Sequence, residues 1–91
     1  MNYYVISYDL HVKKDYEKVK ECIDRLSLDW IKPLESFFLV KTNFDAAYLR
    51  DALRKSTDYD DSFIVIRLNI NEWASYGINK QFTDRLYTWK D

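Results

Sequence analysis

The first strand-like segment is the feature that most constrains the fold. Residues 3–10, YYVISYDL, hold six aromatic or aliphatic side chains and a single charged one, Asp9. A segment this apolar and β-prone would promote aggregation if it were half-exposed, so we expect it to lie inside a sheet. Asp9 then falls near the end of a buried strand, where a carboxylate is available for chemistry. Asp9 is therefore the first candidate functional residue.

Composition limits the class of protein. The 91 residues are 47% hydrophobic with one glycine and one proline, which predicts a single compact domain over residues 1–91. The only cysteine, Cys22, excludes an internal disulfide and a cysteine-rich zinc site, and we expect it to be a small buried hydrophobic residue. No apolar run has the length of a membrane span or a signal peptide, so we expect a cytoplasmic protein without a membrane partner.

Hydrophobic periodicity predicts six main elements followed by a tail. They are a strand at 3–10, a helix from Asp15 as its cap to about Leu28, a short edge strand around Trp30 and Pro33, a strand at 36–42, a helix capped by Asn43 and ending near Lys55, and a strand at 62–70. After Gly77, the pattern favours a helix capped by Asn79, with a strand as the alternative. The order is that of the α+β ferredoxin-like fold, βαββαβ, in which two helices cover one face of a four-stranded antiparallel sheet. The core then spans 2–70 and the C-terminal tail 71–91.

Both faces of the predicted sheet are apolar. One set of alternating residues is expected beneath the two helices: Tyr4, Ile6, Tyr8, Phe38, Val40, Ile64, Ile66 and Leu68. The other set is apolar at one end and polar at the other: Tyr3, Val5, Ser7, Asp9, Phe37, Leu39, Lys41, Phe63, Val65, Arg67 and Asn69. A second apolar face of this size exceeds what monomers usually expose. We expect it to be buried in a twofold homodimer or beneath the C-terminal helix.

Several short segments resemble one known group of proteins. They are Ser7-Tyr8-Asp9-Leu10, Trp30, the run 34–40 (LESFFLV), Leu49-Arg50, Leu53 and the run 60–65 (DDSFIV). Together, over about residues 3 to 70, the chain resembles the small ferredoxin-like subunit of the CRISPR adaptation complex. It is closer still to that subunit's SinR-labelled relatives, and the virulence-associated protein D toxins share the superfamily.

The resemblance implies a homodimer packed through its sheets. It also implies that Asp9 faces its twin across the twofold axis and shares a magnesium ion, Mg²⁺. Members described as nucleases cut RNA or DNA, whereas the adaptation subunit itself serves largely as a scaffold. The chain departs from that subunit in ending with a predicted helix rather than a crossing strand, and in lacking a basic excess.

Asp9 and His11 are the candidate catalytic residues. Mg²⁺ binds through few carboxylates and keeps several waters, so two symmetry-related Asp9 side chains would suffice to hold it. The ion would then position a phosphodiester and activate water. His11, the only histidine, lies two positions further on and could act as a general base. A polar strand end for Asp9 and an exposed loop position for His11 are the alternatives.

Five cations are candidates for contacts with RNA or DNA phosphates. They are Lys13, Lys14, Lys18, Arg50 and Arg54, all on or beside the two predicted helices. Acidic residues are interleaved with them, and the net charge is -1, so an ordinary solvated surface is the alternative.

Two hypotheses follow. One is a metal-dependent nuclease of toxin or defence type, centred on paired Asp9 side chains; the other is a non-catalytic dimeric interaction or scaffold module. Close approach of two Asp9 carboxylates in a dimer would favour the first. An Asp9 buried against Lys41 or Arg67 would favour the second.

Overall fold

The computed structural model describes residues 1–10 and 14–90, except for the side chains of residues 14 and 15. Its elements are β1 (Asn2–Asp9), α1 (Lys14–Leu26), β2 (Asp29–Leu34), β3 (Phe37–Thr42), α2 (Ala46–Lys55), β4 (Ser62–Arg67) and α3 (Lys80–Trp89). The sheet has the order β2-β3-β1-β4, and every neighbouring pair is antiparallel. The predicted ferredoxin-like α+β fold with a C-terminal helix is therefore confirmed.

The β2–β3 hairpin forms one edge of the sheet, as predicted from Pro33. The pairing shifts register between Ile31 and Leu34, the stretch that contains the proline, which lacks the N–H that regular pairing needs. In the tight turn that follows, Ser36 has a left-handed φ of 54°. The carbonyl of Ser36 accepts a hydrogen bond of 3.1 Å from the backbone N–H of Tyr8. This bond ties the hairpin turn to the end of β1 that carries Asp9.

The predicted helix starts are correct for α3 and wrong for the other two helices. Asn79 caps α3 by accepting a bond of 2.8 Å from the backbone of Gln81. Helix α2 is capped by Asp45 rather than Asn43, because the Asp45 carboxylate reaches the N–H three residues on. Helix α1 already begins at Lys14, so Asp15 lies inside its first turn. Both starts are displaced by two residues, and in α2 the two candidate caps, Asn43 and Asp45, have similar capping propensity.

Helices α1 and α2 close one face of the sheet, which we call the helix face. Its core is formed by buried apolar side chains from β1 and the residue after it, from β3 and from the two helices: Tyr4, Ile6, Tyr8, Leu10, Val19, Cys22, Ile23, Phe38, Val40, Leu49 and Leu53. Cys22 is buried among them, as predicted. The buried Thr42 donates its hydroxyl to the Leu26 carbonyl at 2.8 Å, which satisfies a polar group under the end of α1.

The faces predicted for β4 are reversed in the structure. Val65 pairs with Ile6, and Phe63 pairs with Tyr8, so both pack on the helix face, where the prediction placed Ile64 and Ile66. Ile64 and Ile66 instead lie on the opposite face and are 55% and 51% exposed. Since β4 is apolar in both alternating sets, only its pairing with β1 decides which set turns inward.

The opposite face of the sheet, which we call the second face, is half covered by the tail. Helix α3 and the segment before it bury a second core: Tyr3, Ile31, Ile70, Leu86 and Trp89, with Leu39, Leu68, Trp73 and Phe82 packed around it. The prediction that the C-terminal helix covers this face is thus correct for this half. The other half carries the open strip, which we define as Val5, Leu34, Phe37, Ile64 and Ile66.

Within the part of the chain that the structure describes, none of the helices combines the length and the apolar character needed to cross a bilayer.

Candidate functional site

Asp9 is the last residue of β1 and lies opposite Ser62, the first residue of β4. Its side chain shares the second face with Val5 and Ser7, because alternate residues of a strand point to the same side. Ser7 is half-buried between Phe37 on β3 and Ile64 on β4. Asp9 itself is exposed. A solvent-facing carboxylate therefore lies at the end of the open strip.

No cation anchors Asp9 among the residues that the structure describes. Lys41 pairs with Tyr3 and Arg67 pairs with Tyr4, both near the start of β1. At about 3.3 Å per residue, these positions lie about 16 to 20 Å from Asp9. Arg67 also belongs to the helix face. The contact that would have favoured the interaction module, Asp9 buried against Lys41 or Arg67, is not present.

The structure does not test all the predicted site residues. His11 and Lys13 lie outside the described residues, and so does the side chain of Lys14. Lys18 is exposed on α1. Arg50 and Arg54 are exposed on α2, which packs on the helix face. Two of the five predicted cations, Arg50 and Arg54, therefore lie close together on α2.

Arg50 and Arg54 line a cleft of about 610 Å³ at the start of β4, together with Thr57, Asp58, Tyr59, Asp61, Ser62 and Phe63. The cleft has mixed charge, because two carboxylates line it and the Arg50 Nε lies 3.0 Å from the Asp51 carboxylate. Ser62 belongs to this cleft and also pairs with Asp9. Arg50 and Arg54 thus lie at the same end of the sheet as the Asp9 carboxylate, but on the opposite face.

Metal-ligating side chains are sparse around this site. In residues 1–10 and 14–90, no three or more histidine, cysteine or acidic side chains form a group that could hold a metal ion. The acidic turn 58–61 has a structural role, because the Asp61 carboxylate accepts a bond of 2.9 Å from the Asp58 backbone. A metal ion at Asp9 would accordingly rely on one carboxylate from each of two chains and on water.

A network around Asp29 was missed by sequence reasoning. The Asp29 carboxylate accepts hydrogen bonds from the Trp89 indole at 2.9 Å and from the backbone of Trp30 at 2.9 Å. It also pairs with Arg85 at 3.2 Å. The hydroxyl of Tyr3 donates to the Trp89 carbonyl at 3.2 Å. These contacts join residues up to 86 positions apart, so no local pattern in the sequence could have revealed them.

On the helix face, the pKa of the Tyr8 phenol is shifted. Burial, with a smaller contribution from neighbouring Tyr16, raises the pKa of Tyr8 from 10.0 to about 12. The two rings meet edge to face, with centroids 5.6 Å apart. Burial disfavours the phenolate, so Tyr8 stays neutral well above the ordinary tyrosine range.

Comparisons with known proteins do not favour either of the two functional hypotheses. The chain matches no protein-family model, and neither the curated proteins nor the solved structures include a match. The resemblance to the CRISPR adaptation subunit therefore remains a prediction from the sequence.

Proposed function

We propose that the protein is a homodimer that associates through the open strip and cuts RNA or DNA with a magnesium ion held by its two Asp9 carboxylates. The observation that supports this best is the position of Asp9. An exposed carboxylate lies at the end of an exposed apolar surface, on the same face of the sheet and on the strand next to Ile64 and Ile66. A twofold axis near that end would bring the two carboxylates together.

The homodimer follows from the chemistry of the open strip. Ile64, Ile66 and Leu34 are each more than half exposed, and they border the half-buried Val5 and Phe37. Contiguous exposed apolar groups on a sheet face are typical of an interaction surface. Two copies related by a twofold axis would cover each other's strip with the same residues, which gives a closed dimer.

Two carboxylates satisfy the minimal requirement of magnesium. The ion prefers oxygen ligands in an octahedron and usually keeps several waters, so one carboxylate from each chain leaves room for water and for a phosphate oxygen. When bound there, it would supply a Lewis acid and an activated water. Asp9 would hold the ion, and its strand end, fixed by pairing with Ser62, would set the distance between the two carboxylates.

The proposed substrate would be gripped weakly. With a net charge of -1, the chain has few uncompensated cations, and Arg50 shares its charge with Asp51. Binding by phosphate contacts should therefore be weak, independent of base sequence and strongly reduced by salt. Arg50 and Arg54 line the cleft that Ser62, the pairing partner of Asp9, also lines. A cytoplasmic nuclease of defence or toxin type fits this description and the sequence resemblance.

A non-catalytic interaction module is the second candidate function. It is favoured by the sparse ligands, since the described residues offer one isolated carboxylate in place of a cluster. In that case the open strip itself would be the functional surface, and Asp9 would only keep its end soluble.

The decisive experiment measures cleavage of labelled single-stranded RNA, duplex RNA and duplex DNA with and without Mg²⁺. We expect magnesium-dependent cleavage that Asp9→Asn reduces by at least about 100-fold, because that change removes the charge and keeps the shape. Asp60→Asn, which removes an equally exposed acid from the turn before β4, is the matched control and should cleave like the natural chain.

Three results would contradict the proposed nuclease mechanism. Cleavage that survives Asp9→Asn would remove Asp9 from the mechanism. Cleavage without added metal and in the presence of a chelator would exclude the proposed ion. A dimer that cleaves none of the substrates would leave the interaction module as the function.

A further inference from the structure

An apolar cleft separates the second face from the segment that leads into α3. It has a volume of about 460 Å³. Val5 and Leu39 of the sheet form its floor, Trp73 and Ile78 of the connecting segment form one wall, and Leu86 of α3 closes another. Pockets that bind small molecules usually have volumes of about 300 to 1,000 Å³, so the cleft has the size of a ligand site.

The walls of this cleft are held in place without a ligand. Helix α3 is fixed to the sheet by the stack of Tyr3 on Trp89, with ring centroids 5.9 Å apart, and by the contacts of Asp29. The connecting segment is fixed to α3, because the Trp73 ring lies 5.0 Å from that of Tyr87. A cleft that exists before its ligand arrives loses less conformational entropy on binding.

Charge at the rim narrows the chemistry of the ligand. Among the described residues that line the cleft, Glu72 is the only charged one, and it is exposed. The remaining polar side chains are small or neutral, including Asn69, Ser75 and Thr83. The interior thus favours an aromatic or aliphatic body, and the rim favours a positive group over a negative one.

We infer that this cleft binds a small molecule with an apolar body and an amino group that pairs with Glu72. The inference depends on neither nuclease activity nor the Asp9 pair, but it requires that the homodimer proposed above leave the mouth of the cleft open. A second copy of the chain is the competing occupant, since the cleft meets the open strip at Val5, Leu34 and Phe37.

The test uses two fluorescent probes that share a dansyl group and a short alkyl chain: dansylcadaverine, which ends in an amine, and dansyl-6-aminohexanoate, which ends in a carboxylate. Titration into the protein should give a saturable, blue-shifted emission, with the amine bound about two- to fivefold more tightly because the Glu72 carboxylate is exposed. Glu72→Gln should abolish that preference and keep the apolar binding. Asp60→Asn removes a distant acid and should keep the preference.

A second experiment fills the cleft with a bulky side chain and measures the binding of both probes. Thr83→Trp and Ala74→Trp each place an indole at the cleft, on α3 and on the connecting segment, and each should weaken both probes at least tenfold. Thr88→Trp, on the same helix but outside the cleft lining, is the control and should bind normally. Ala74 is exposed, so the second variant keeps the test valid if Thr83→Trp does not fold.

The inference would be overturned by unchanged binding in both filled variants, or by tighter binding of the carboxylate probe. Sedimentation of the same samples addresses the competing occupant. Probe binding that disappears as the chain self-associates would assign the cleft to a second copy and would also refute the small-molecule site.

Discussion

The two faces of the sheet are closed to different extents, although both are built from the same strands. On the helix face, Tyr4, Ile6 and Phe38 are each at most 2% exposed. On the second face, Tyr3 is buried beneath the tail, whereas Ile64 and Ile66 remain half exposed. The helix face therefore contributes mainly to stability, and the open half of the second face is the surface available for association.

The difference has a simple geometric cause. An α-helix is about 10 Å across and neighbouring strands lie about 4.8 Å apart, so one helix covers about two strands. Helices α1 and α2 together cover all four strands. On the second face, α3 is the one helix among the described residues, and it packs with the segment before it over the β2 side, where it meets Asp29 and Ile31. The β4 side of this face is left open, because the described residues place no second helix over it.

The largest expected effect comes from removing the anchor of α3. Trp89→Ala deletes a buried ring that stacks on Tyr3 and bonds to Asp29, and it should lower the free energy of unfolding by about 3 to 5 kcal/mol. Urea denaturation followed by far-UV circular dichroism measures this. Tyr76→Ala removes an aromatic ring that is 99% exposed and should change stability by less than about 0.5 kcal/mol. A loss below 1 kcal/mol for Trp89→Ala would mean that α3 is not part of the cooperative fold.

Much of the fold was predictable from local pattern. The alternation in β1, the helical spacing of Leu49 and Leu53, the proline in β2 and the cap at Asn79 each determine their own element through short-range physics. The face of β4 was not predictable, because Phe63 and Val65 are as apolar as Ile64 and Ile66. Only the pairing with β1 fixes the choice, and pairing is a long-range property.

The candidate site was predictable only in part. Asp9 could be found because a lone carboxylate interrupts an apolar strand, and the structure places it exposed at the strand end. Its isolation could not be foreseen, because the distances to Lys41 and Arg67 depend on the register of two other strands. The Asp29 network and the apolar cleft arise from the packing of α3 across the sheet, which no local spacing encodes.

A charge on the open strip should give the next largest effect, and it acts on association rather than on folding. Ile64→Glu puts a carboxylate at the centre of the proposed interface and should raise the dimer dissociation constant at least 30-fold, or about 2 kcal/mol. Sedimentation velocity over a range of concentrations measures it. Tyr59→Glu, at a fully exposed position in the turn before β4, should leave association unchanged. A natural chain that stays monomeric at all concentrations would contradict the proposed interface.

A charge on the helix face should destabilise the folded protein, whereas a charge on the open strip should not. Ionisation of Tyr8 tests the first half of this comparison. Its pKa is raised to about 12 in the folded protein, so the unfolded chain, with an ordinary tyrosine pKa near 10, loses its proton first. The contribution of Tyr8 is therefore complete below pH 10 and is lost as the pH rises from about 10 to 12, at a cost of roughly 1 to 3 kcal/mol.

The measurement compares the pH dependence of urea unfolding in two variants. Tyr8→Phe should flatten the decline between pH 10 and 12, because the group responsible is gone. Tyr59→Phe changes an exposed tyrosine by the same atom and should decline like the natural chain. Equal slopes in the two variants would show that the phenol of Tyr8 does not couple folding to pH.

The smallest effect concerns two indoles on the second face. The Trp89 N–H donates to Asp29, whereas the buried Trp73 N–H has no hydrogen-bond partner among the described residues. An unpaired buried donor costs about 1 to 3 kcal/mol, so Trp73→Phe should leave the free energy of unfolding unchanged or raise it by up to about 1 kcal/mol. Trp89→Phe makes the same change of ring but removes a bond to a carboxylate, and it should lower that free energy by about 1.5 to 3 kcal/mol. Equal losses in the two variants would mean that the Trp73 donor is paired in solution, and would place an acceptor from water or a second copy beside the connecting segment.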